Sequence, residues 1–315
     1  MSICDYIKTF VGIIKEHIVE HLKLGTRGSK LALWQAHFIK AQLEAVGTTC
    51  EIVIIKTRGD QIQDIGFSKM EGKGFFTKEI EDALLEGKID FAVHSMKDMP
   101  TTNPPGLVLT ALSYREDPRD CLVIKKSSAS DGLLKLPESA IVGTSSARRK
   151  AQLLHYRSDL NIQDIRGNVP TRLKKLQEES FDAIVLAKAG LERLKIDLSD
   201  FEYIDLNPRE FVPAPAQGVI ALQVREDDTA TRRLLQQIHH ADVARCTNIE
   251  RKVLQLMDGG CQMPLGVHCE MDQENNFHVH AAFAKSWDAP VKFVHCSQST
   301  SINLAEKIHQ ALLED

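Results

Sequence analysis

The sequence predicts an α/β fold: two sheet-and-helix units followed by a small α+β unit. Three observations carry that prediction. Short runs rich in β-branched residues alternate with helical patterns over most of the 315 residues, as in mostly parallel sheets flanked by helices. Near residue 225 the alternation stops, and two helices lead into apolar segments of a different period. Between the two styles stands VPAPAQG (212–218), a proline-rich stretch that reads as a hinge.

Taken in order, residues 1–22 open the chain with Ile3, Ile7, Phe10, Ile14 and Ile18 at helical spacing, interrupted by Asp5, Lys8, Lys15 and Glu16. This reads as a short amphipathic helix in an extension outside the main fold, with no role in chemistry. It offers neither a membrane span nor a signal-peptide core. Strands follow at EIVIIKT (51–57), DFAVHS (90–95), AIVGT (140–144), NIQDIR (161–166) and DAIVLA (182–187). Helices are predicted over 30–46, ending at Gly47, over 77–88, over 146–156 and over 171–179. Two more, roughly 228–240 and 242–257, run into a glycine-rich loop. Apolar alternation at 266–271, 277–284 and 291–297, with a turn at 274–276, predicts three strands before a last helix at 301–313.

Composition narrows the function classes. A net charge of -4 argues against a dedicated nucleic-acid binder. The seven cysteines (Cys4, Cys50, Cys121, Cys246, Cys261, Cys269 and Cys296) are odd in number, widely spaced and without a CxxC. That excludes a disulfide framework and a zinc motif, and points to a reducing, cytoplasmic setting without membrane attachment. The histidines form no HExxH-type set, and no metal site is predicted. Neither a GxGxxG nor a Walker A sequence is present, so nucleotide cofactors have no motif support.

Arginines recur at strand–helix junctions: Arg27 in LGTRGSK, Arg58 in KTRGD, Arg148 and Arg149 in GTSSARRK, Arg166 and Arg172 in IRGNVPTR, and Arg193 in AGLERL. A helix N-terminus offers unpaired N–H groups and a positive dipole end. Small neighbours such as Gly28, Ser29, Ser145 and Ser146 let a ligand approach, and a guanidinium matches a carboxylate or phosphate. Each arginine alone is equally well a solvated surface residue; their repetition predicts a ligand with several negative groups, held between two units. Lys69 and Lys73 add charge in FSKMEGKGFF. One acid breaks the pattern. Asp98, in DFAVHSMKDMP beside Lys97, follows a strand end, where catalytic groups collect in α/β folds. Read alone it is either a turn cap or a carboxylate that surrounding cations keep ionised, fit to steady a cation or move a proton. Finally, DGGCQMPLG (258–266) sets Cys261 on a bare glycine loop.

The ordered series TRGSKLALWQA, KTRGD, GKGFFTKEIEDALL, DFAVHSMKDMP, REDPRD, VGTSSARRKAQL, IRGNVPTRL, DAIVLAKAGLERL and GGCQMPLG resembles the porphobilinogen deaminase (hydroxymethylbilane synthase) family. It covers the chain from about Leu24 to the C-terminal helix. The resemblance implies a transferase of tetrapyrrole biosynthesis that joins four porphobilinogen molecules head to tail with loss of ammonia. It then hydrolyses the linear tetrapyrrole from the enzyme. It implies a dipyrromethane cofactor bound by a thioether to Cys261, and Asp98 as the catalytic aspartate. Lys97, Ser146, Arg148, Arg149 and Arg172, with Asp98, would hold the cofactor. Arg27, Ser29, Arg166, Arg172 and Arg193, with Lys69 and Lys73 on a loop near the cleft, would hold substrate. The implied fold has two periplasmic-binding-protein-like α/β domains, 23–114 with 218–236 and 115–217, and an α+β domain, 237–315. The implied protein is a monomer. Ala216 stands where the family pattern has glycine, and His268 and Cys269 are unusual after the cysteine loop. Two rivals need no resemblance: a two-lobed anion- or solute-binding protein without catalysis, and a transferase for phosphorylated substrates.

Overall fold

The computed structural model describes residues 21–57, 77–259 and 263–314. The expected N-terminal helix, Arg58, Lys69, Lys73 and Cys261 lie outside them. In chain order the elements are β1 (His21–Thr26), α1 (Lys30–Ala45), β2 (Thr49–Ile54), α2 (Lys78–Leu85), β3 (Phe91–Ser95), a 3-10 turn at Met96–Asp98, β4 (Leu107–Leu112) and β5 (Asp120–Lys125). There follow β6 (Ile141–Gly143), α3 (Ala147–Tyr156), β7 (Asn161–Gln163), α4 (Val169–Glu178), β8 (Ala183–Ala187), α5 (Lys188–Arg193), β9 (Phe201–Asp205) and β10 (Ile220–Arg225). The chain ends with α6 (Thr229–Gln236), α7 (Ala241–Leu256), β11 (Leu265–Met271), β12 (Phe277–Phe283), β13 (Lys292–Gln298) and α8 (Leu304–Leu313).

Two five-stranded sheets share one plan. Their orders are β2-β1-β3-β10-β4 and β7-β6-β8-β5-β9. In each, a central strand pairs in parallel with the two that follow it in sequence, β1 with β2 and β3, β6 with β7 and β8. The fourth strand is antiparallel to both its neighbours, and it arrives by crossing from the other unit: β10 enters the first sheet, β5 the second. The sheets are therefore mixed, where sequence suggested mostly parallel ones. The cause is the crossing itself, since a strand entering directly from the other unit needs no helical crossover and is free to run antiparallel.

Each sheet is covered on both faces. One face of the first buries Leu22, Leu24, Phe91 and Val93 against Ile39 and Leu43 of α1, with Leu235 of α6 in the same core. The other face carries Ala92 toward Ile80 and Leu84 of α2. The second sheet splits likewise, Leu122, Val142 and Val185 with Leu153 of α3 on one side, Val123, Ile184 and Leu186 with Leu173 and Leu176 of α4 on the other. The third unit is a three-stranded antiparallel sheet, β11-β12-β13, whose core face packs on α7 and α8 through Val267, Val279, Val253 and Ile308. The other face aligns His268, His280 and His295 across the three strands.

The segments that join the units run side by side. Glu116 N–H donates to Gly218 O at 3.0 Å, Arg115 Nε to Gln217 O at 3.0 Å, and Gln217 Nε2 to Pro118 O at 2.8 Å. Within the expected hinge, Ala216 has φ 59° and Gly218 φ 90°. A Cβ on Gly218 would stand 2.3 Å from Glu116 O, so glycine is required there.

Candidate active site

The site is built where strands end and helices begin. Ser29 caps α1, its Oγ accepting from Ala32 N–H at 3.2 Å. Ser146 caps α3, accepting from Arg149 N–H, and Asn168 caps α4, accepting from Thr171 N–H at 3.0 Å. A proline in the first turn of α4 fits the helical φ and gives up an N–H that has no partner there anyway. Three helix N-termini thus follow the C-terminal ends of β1, β6 and β7, as the arginine pattern predicted.

Asp98 closes the 3-10 turn after β3 and is exposed, whereas Met96 beside it is buried and anchors the turn. Asp98 lines a cavity of about 100 Å³ together with Arg27, Ser29, Gln35, Thr77, His94 and Ser95. Gln35 is buried and donates to Ser95 Oγ at 2.9 Å, tying α1 to the strand that delivers Asp98. His94 is buried with its Nε2 unpartnered among the described residues. Burial pulls its pKa down to about 4, with Arg27 adding repulsion, so the imidazole is neutral.

The second unit supplies the cations. Asp120, at the start of β5, is fully buried and accepts from Arg148 Nη1 at 2.8 Å, Arg149 Nη2 at 2.7 Å and Gln217 Nε2 at 2.9 Å. Burial alone would raise its pKa; the two guanidinium groups outweigh that and hold it well below the usual carboxylate range. Arg148 also donates to Val212 O and Arg149 to Val185 O, each at 2.9 Å. These two arginines are therefore largely committed inside the protein. Arg149 Nε is buried without a partner among the described residues.

Lys97, half-buried, reaches Gln217 Oε1 at 3.4 Å. Its pKa is lowered, first by burial; Arg149 and Arg148 push the same way, against Asp98 and Asp120. Arg172 donates to Gly167 O at 2.7 Å, and its pKa falls to about 10, first through burial and then through Arg149 and Arg166, with Asp98 opposing. The structure thus brings Asp98, Lys97, Arg148, Arg149, Arg166 and Arg172 into one electrostatic neighbourhood, and Arg27, Ser29 and Asp98 into one cavity. Arg193 is elsewhere engaged. It donates to Gly218 O at 2.7 Å and lies over the Trp34 ring at 5.6 Å, bridging α5 to α1, and its Nε is likewise unpartnered among the described residues.

Sequence reasoning missed Gln35, His94, Asp120, Gln217 and Arg251. Arg251, on α7, donates to Met99 O at 3.1 Å and Pro100 O at 2.5 Å, gripping the segment that holds Asp98. The same helix precedes Cys261 in the sequence. Glu250, one residue before Arg251, accepts from Arg115 at 2.6 Å, Ala216 N–H at 2.6 Å and Cys269 N–H at 2.7 Å, tying α7 to β11 and to the segments that join the units. Polar residues inside apolar runs, such as Asp120 before CLVIK, were the available signal. Among the described residues no group of three or more His, Cys, Asp or Glu is arranged to hold a metal, and no helix is long and apolar enough to cross a membrane.

The comparisons with known proteins meet this geometry. Residues 22–233 match the family model "Porphobilinogen deaminase, dipyromethane cofactor binding domain" and residues 244–313 match "Porphobilinogen deaminase, C-terminal domain". The chain belongs to the porphobilinogen deaminase family. It is 47% identical over 255 residues to a porphobilinogen deaminase of Syntrophotalea carbinolica, covering 80% of this chain and 79% of that one. It is 44% identical to that of Chloroherpeton thalassium, covering 91% of each chain, and 42% identical to that of Syntrophomonas wolfei, covering 94% and 96%. Among solved structures, a periplasmic sulfonate-binding protein of Methylobacillus flagellatus overlaps 74% of this chain and 68% of its own at 13% identity, with a TM-score of 0.40. The fold assignment rests on the sheet orders given above.

Proposed function

We propose that this porphobilinogen deaminase makes hydroxymethylbilane, joining four porphobilinogen molecules with release of ammonia and then hydrolysing the linear product. The observation that carries the reading is Asp98, a solvent-reachable carboxylate that shares a cavity with Arg27 and Ser29 and a field with five cations of the cleft. In this reading the enzyme is a cytoplasmic monomer acting on a small molecule, with no nucleic acid or membrane partner. The proposed units are 23–114 with 218–236, 115–217 and 237–315, supported by β10 lying in the first sheet.

The residues present fit an anionic oligopyrrole. Arg148 and Arg149 face one carboxylate, Asp120, so a positive charge is left over. The lowered pKa values of Lys97 and Arg172 describe crowded, desolvated cations that an added carboxylate would relieve. Arg149 Nε and Arg193 Nε retain buried donors. Lys97, Ser146, Arg148, Arg149 and Arg172 would hold a dipyrromethane bound by thioether to Cys261, which supplies the pyrrole terminus on which the product is built. Arg27 and Ser29 receive substrate carboxylates at the α1 N-terminus, with Arg166 and Arg172 in the same field; Arg193, through its remaining Nε donor, and Lys69 and Lys73 are proposed as further substrate contacts. Asp98 accepts the pyrrole N–H and balances the positive charge left on the substrate as ammonia departs. Gln35 and Arg251 fix the segments on either side of it.

Incubation with porphobilinogen, following ammonia and linear tetrapyrrole, tests the reading. Asp98→Asn is expected to fold and bind substrate but to lose turnover by ~10²–10⁴-fold. Substrate binding without ammonia release in the unaltered protein would favour the solute-binding rival instead.

A further inference from the structure

The cavity at Asp98 has a floor to which the deaminase reading gives no task. β3 runs into it between two helices. Ser95, at the strand's end, turns to α1, where Gln35 Nε2 donates to its Oγ at 2.9 Å. His94 turns to the opposite face, the one on which Ala92 meets α2. Thr77, the residue before α2, lines the same cavity as His94. The N-termini of α1 and α2 therefore open onto one space, with Arg27 beside it. Their caps differ. Ser29 Oγ bonds the first turn of α1, whereas the Thr77 side chain makes no capping bond to α2.

Two polar groups of this floor are buried and idle. His94 is 6% exposed and Thr77 2%. Neither His94 Nε2 nor Thr77 Oγ1 has a hydrogen-bond partner among the described residues. A buried polar atom left in that state costs stability, and two in one cavity point to a ligand that pairs with them. The walls favour an anion. Arg27 is the cation among the lining residues, two helix N-termini face the space, and the Ser29 and Thr77 hydroxyls can donate. His94, held neutral by burial, presents one N–H without a charge. Glu81, the buried acid of α2, is engaged by Gln223 Nε2 at 3.3 Å. The volume of about 100 Å³ is roughly that of three waters, enough for a carboxylate and one methylene and too little for a pyrrole ring with its arms.

Resting on the deaminase reading, we infer that His94, with Thr77, is a specificity-determining residue that takes the shorter of porphobilinogen's two carboxylate arms, the acetate, into this floor. The acetate accepts from His94 Nε2–H and the Thr77 hydroxyl at the uncapped end of α2, and Arg27 supplies the opposite charge. Asp98, which is exposed, borders the same cavity, so an arm held at the floor sets its pyrrole ring against that carboxylate. The propionate, one methylene longer, is left to the cations outside the cavity. His94 makes no bond to the reacting atoms and moves no proton. Its effect falls on binding and on which way round the ring lies.

The test compares kcat and KM of the holoenzyme for porphobilinogen and for the homologue whose acetate is lengthened to a second propionate. The unaltered enzyme is expected to prefer porphobilinogen by ~10–200-fold in kcat/KM, the usual worth of one methylene. His94→Phe keeps a flat ring and removes both nitrogens. It is expected to raise KM for porphobilinogen ~10-fold, to lower kcat less, and to cut the preference by ~10-fold. His94→Gln, which keeps a donor, should recover most of both losses. Thr77→Val should raise KM by ~3-fold and cut the preference in step, and it decides the matter if His94→Phe does not fold. Unchanged KM and preference in the folded variant, or a fall in kcat alone, would overturn the inference. Calorimetry with porphobilinogen keeps the two readings apart. A protein that binds it without releasing ammonia overturns the deaminase reading, and the same ratios taken in Kd then decide the role of His94.

Discussion

The two α/β units share a strand order but use their acids in opposite ways. In the first, Asp98 ends its turn exposed, facing a cavity. In the second, Asp120 is wholly buried and absorbed by Arg148, Arg149 and Gln217. In the proposed reading the first carboxylate serves the chemistry, while the second organises the cations around it. The comparison teaches that arginines at strand ends are not all open to ligand. Two of those counted in the sequence are oriented by an acid that opens a largely apolar strand, so the second unit offers less free charge than its composition suggests.

The sharpest way to break this comparison is to remove each acid in turn. Asp120→Ala leaves two buried guanidinium groups facing each other, and a loss of about 3–5 kcal/mol in urea unfolding is expected. Asp98→Asn should change stability by no more than about 0.5 kcal/mol while losing the turnover stated above. Equal stability losses in both variants would erase the distinction.

Between the units, Gly218→Ala is expected to cost about 2–4 kcal/mol, because the residue has positive φ and its Cβ would meet Glu116 O. A thermal midpoint unchanged by this variant would show that the joining segments yield freely.

Acid should weaken the first and third units through buried histidines. Burial lowers His94 to about 4 and His268 to about 3, from an ordinary 6.5. Both are neutral when folded, so their contribution is complete above pH 6.5 and is lost as pH falls toward those values. At pH 5 each should have cost about 2 kcal/mol. His268→Gln is expected to flatten the urea midpoint against pH between 7 and 5, and an unchanged slope would contradict the assignment.

The smallest effect concerns Ala216, whose φ of 59° strains a side chain that glycine would not carry. Ala216→Gly should stabilise by roughly 0.5 kcal/mol, the relief being partly offset by unfolded-chain entropy. A lower Tm would show that the alanine methyl packs more than it strains.

The sequence made the architecture readable where periodicity was strong. The strands β2, β3, β6, β7 and β8 and the three strands of the last unit fall where their patterns predicted. The pattern reading did not assign β1, β4, β5, β9 and β10. Several of these carry a polar residue that tertiary contacts satisfy: Asp120 opens β5, and Gln223 of β10 reaches Glu81 on α2 at 3.3 Å. No local pattern announces such a partner 142 residues away. In the site, Arg27, Ser29, Lys97 and Asp98 were legible because strand ends and caps leave local signatures. The commitment of Arg148 and Arg149 to Asp120, and the grip of Arg251 on the Asp98 segment, arise only when units dock.

The most direct test of the central claim is the intact mass of the denatured protein beside Cys261→Ser, before and after porphobilinogen. The account predicts extra mass equal to two linked pyrrole units, growing stepwise with substrate and absent from the variant. A bare mass that stays bare after incubation with porphobilinogen would contradict it.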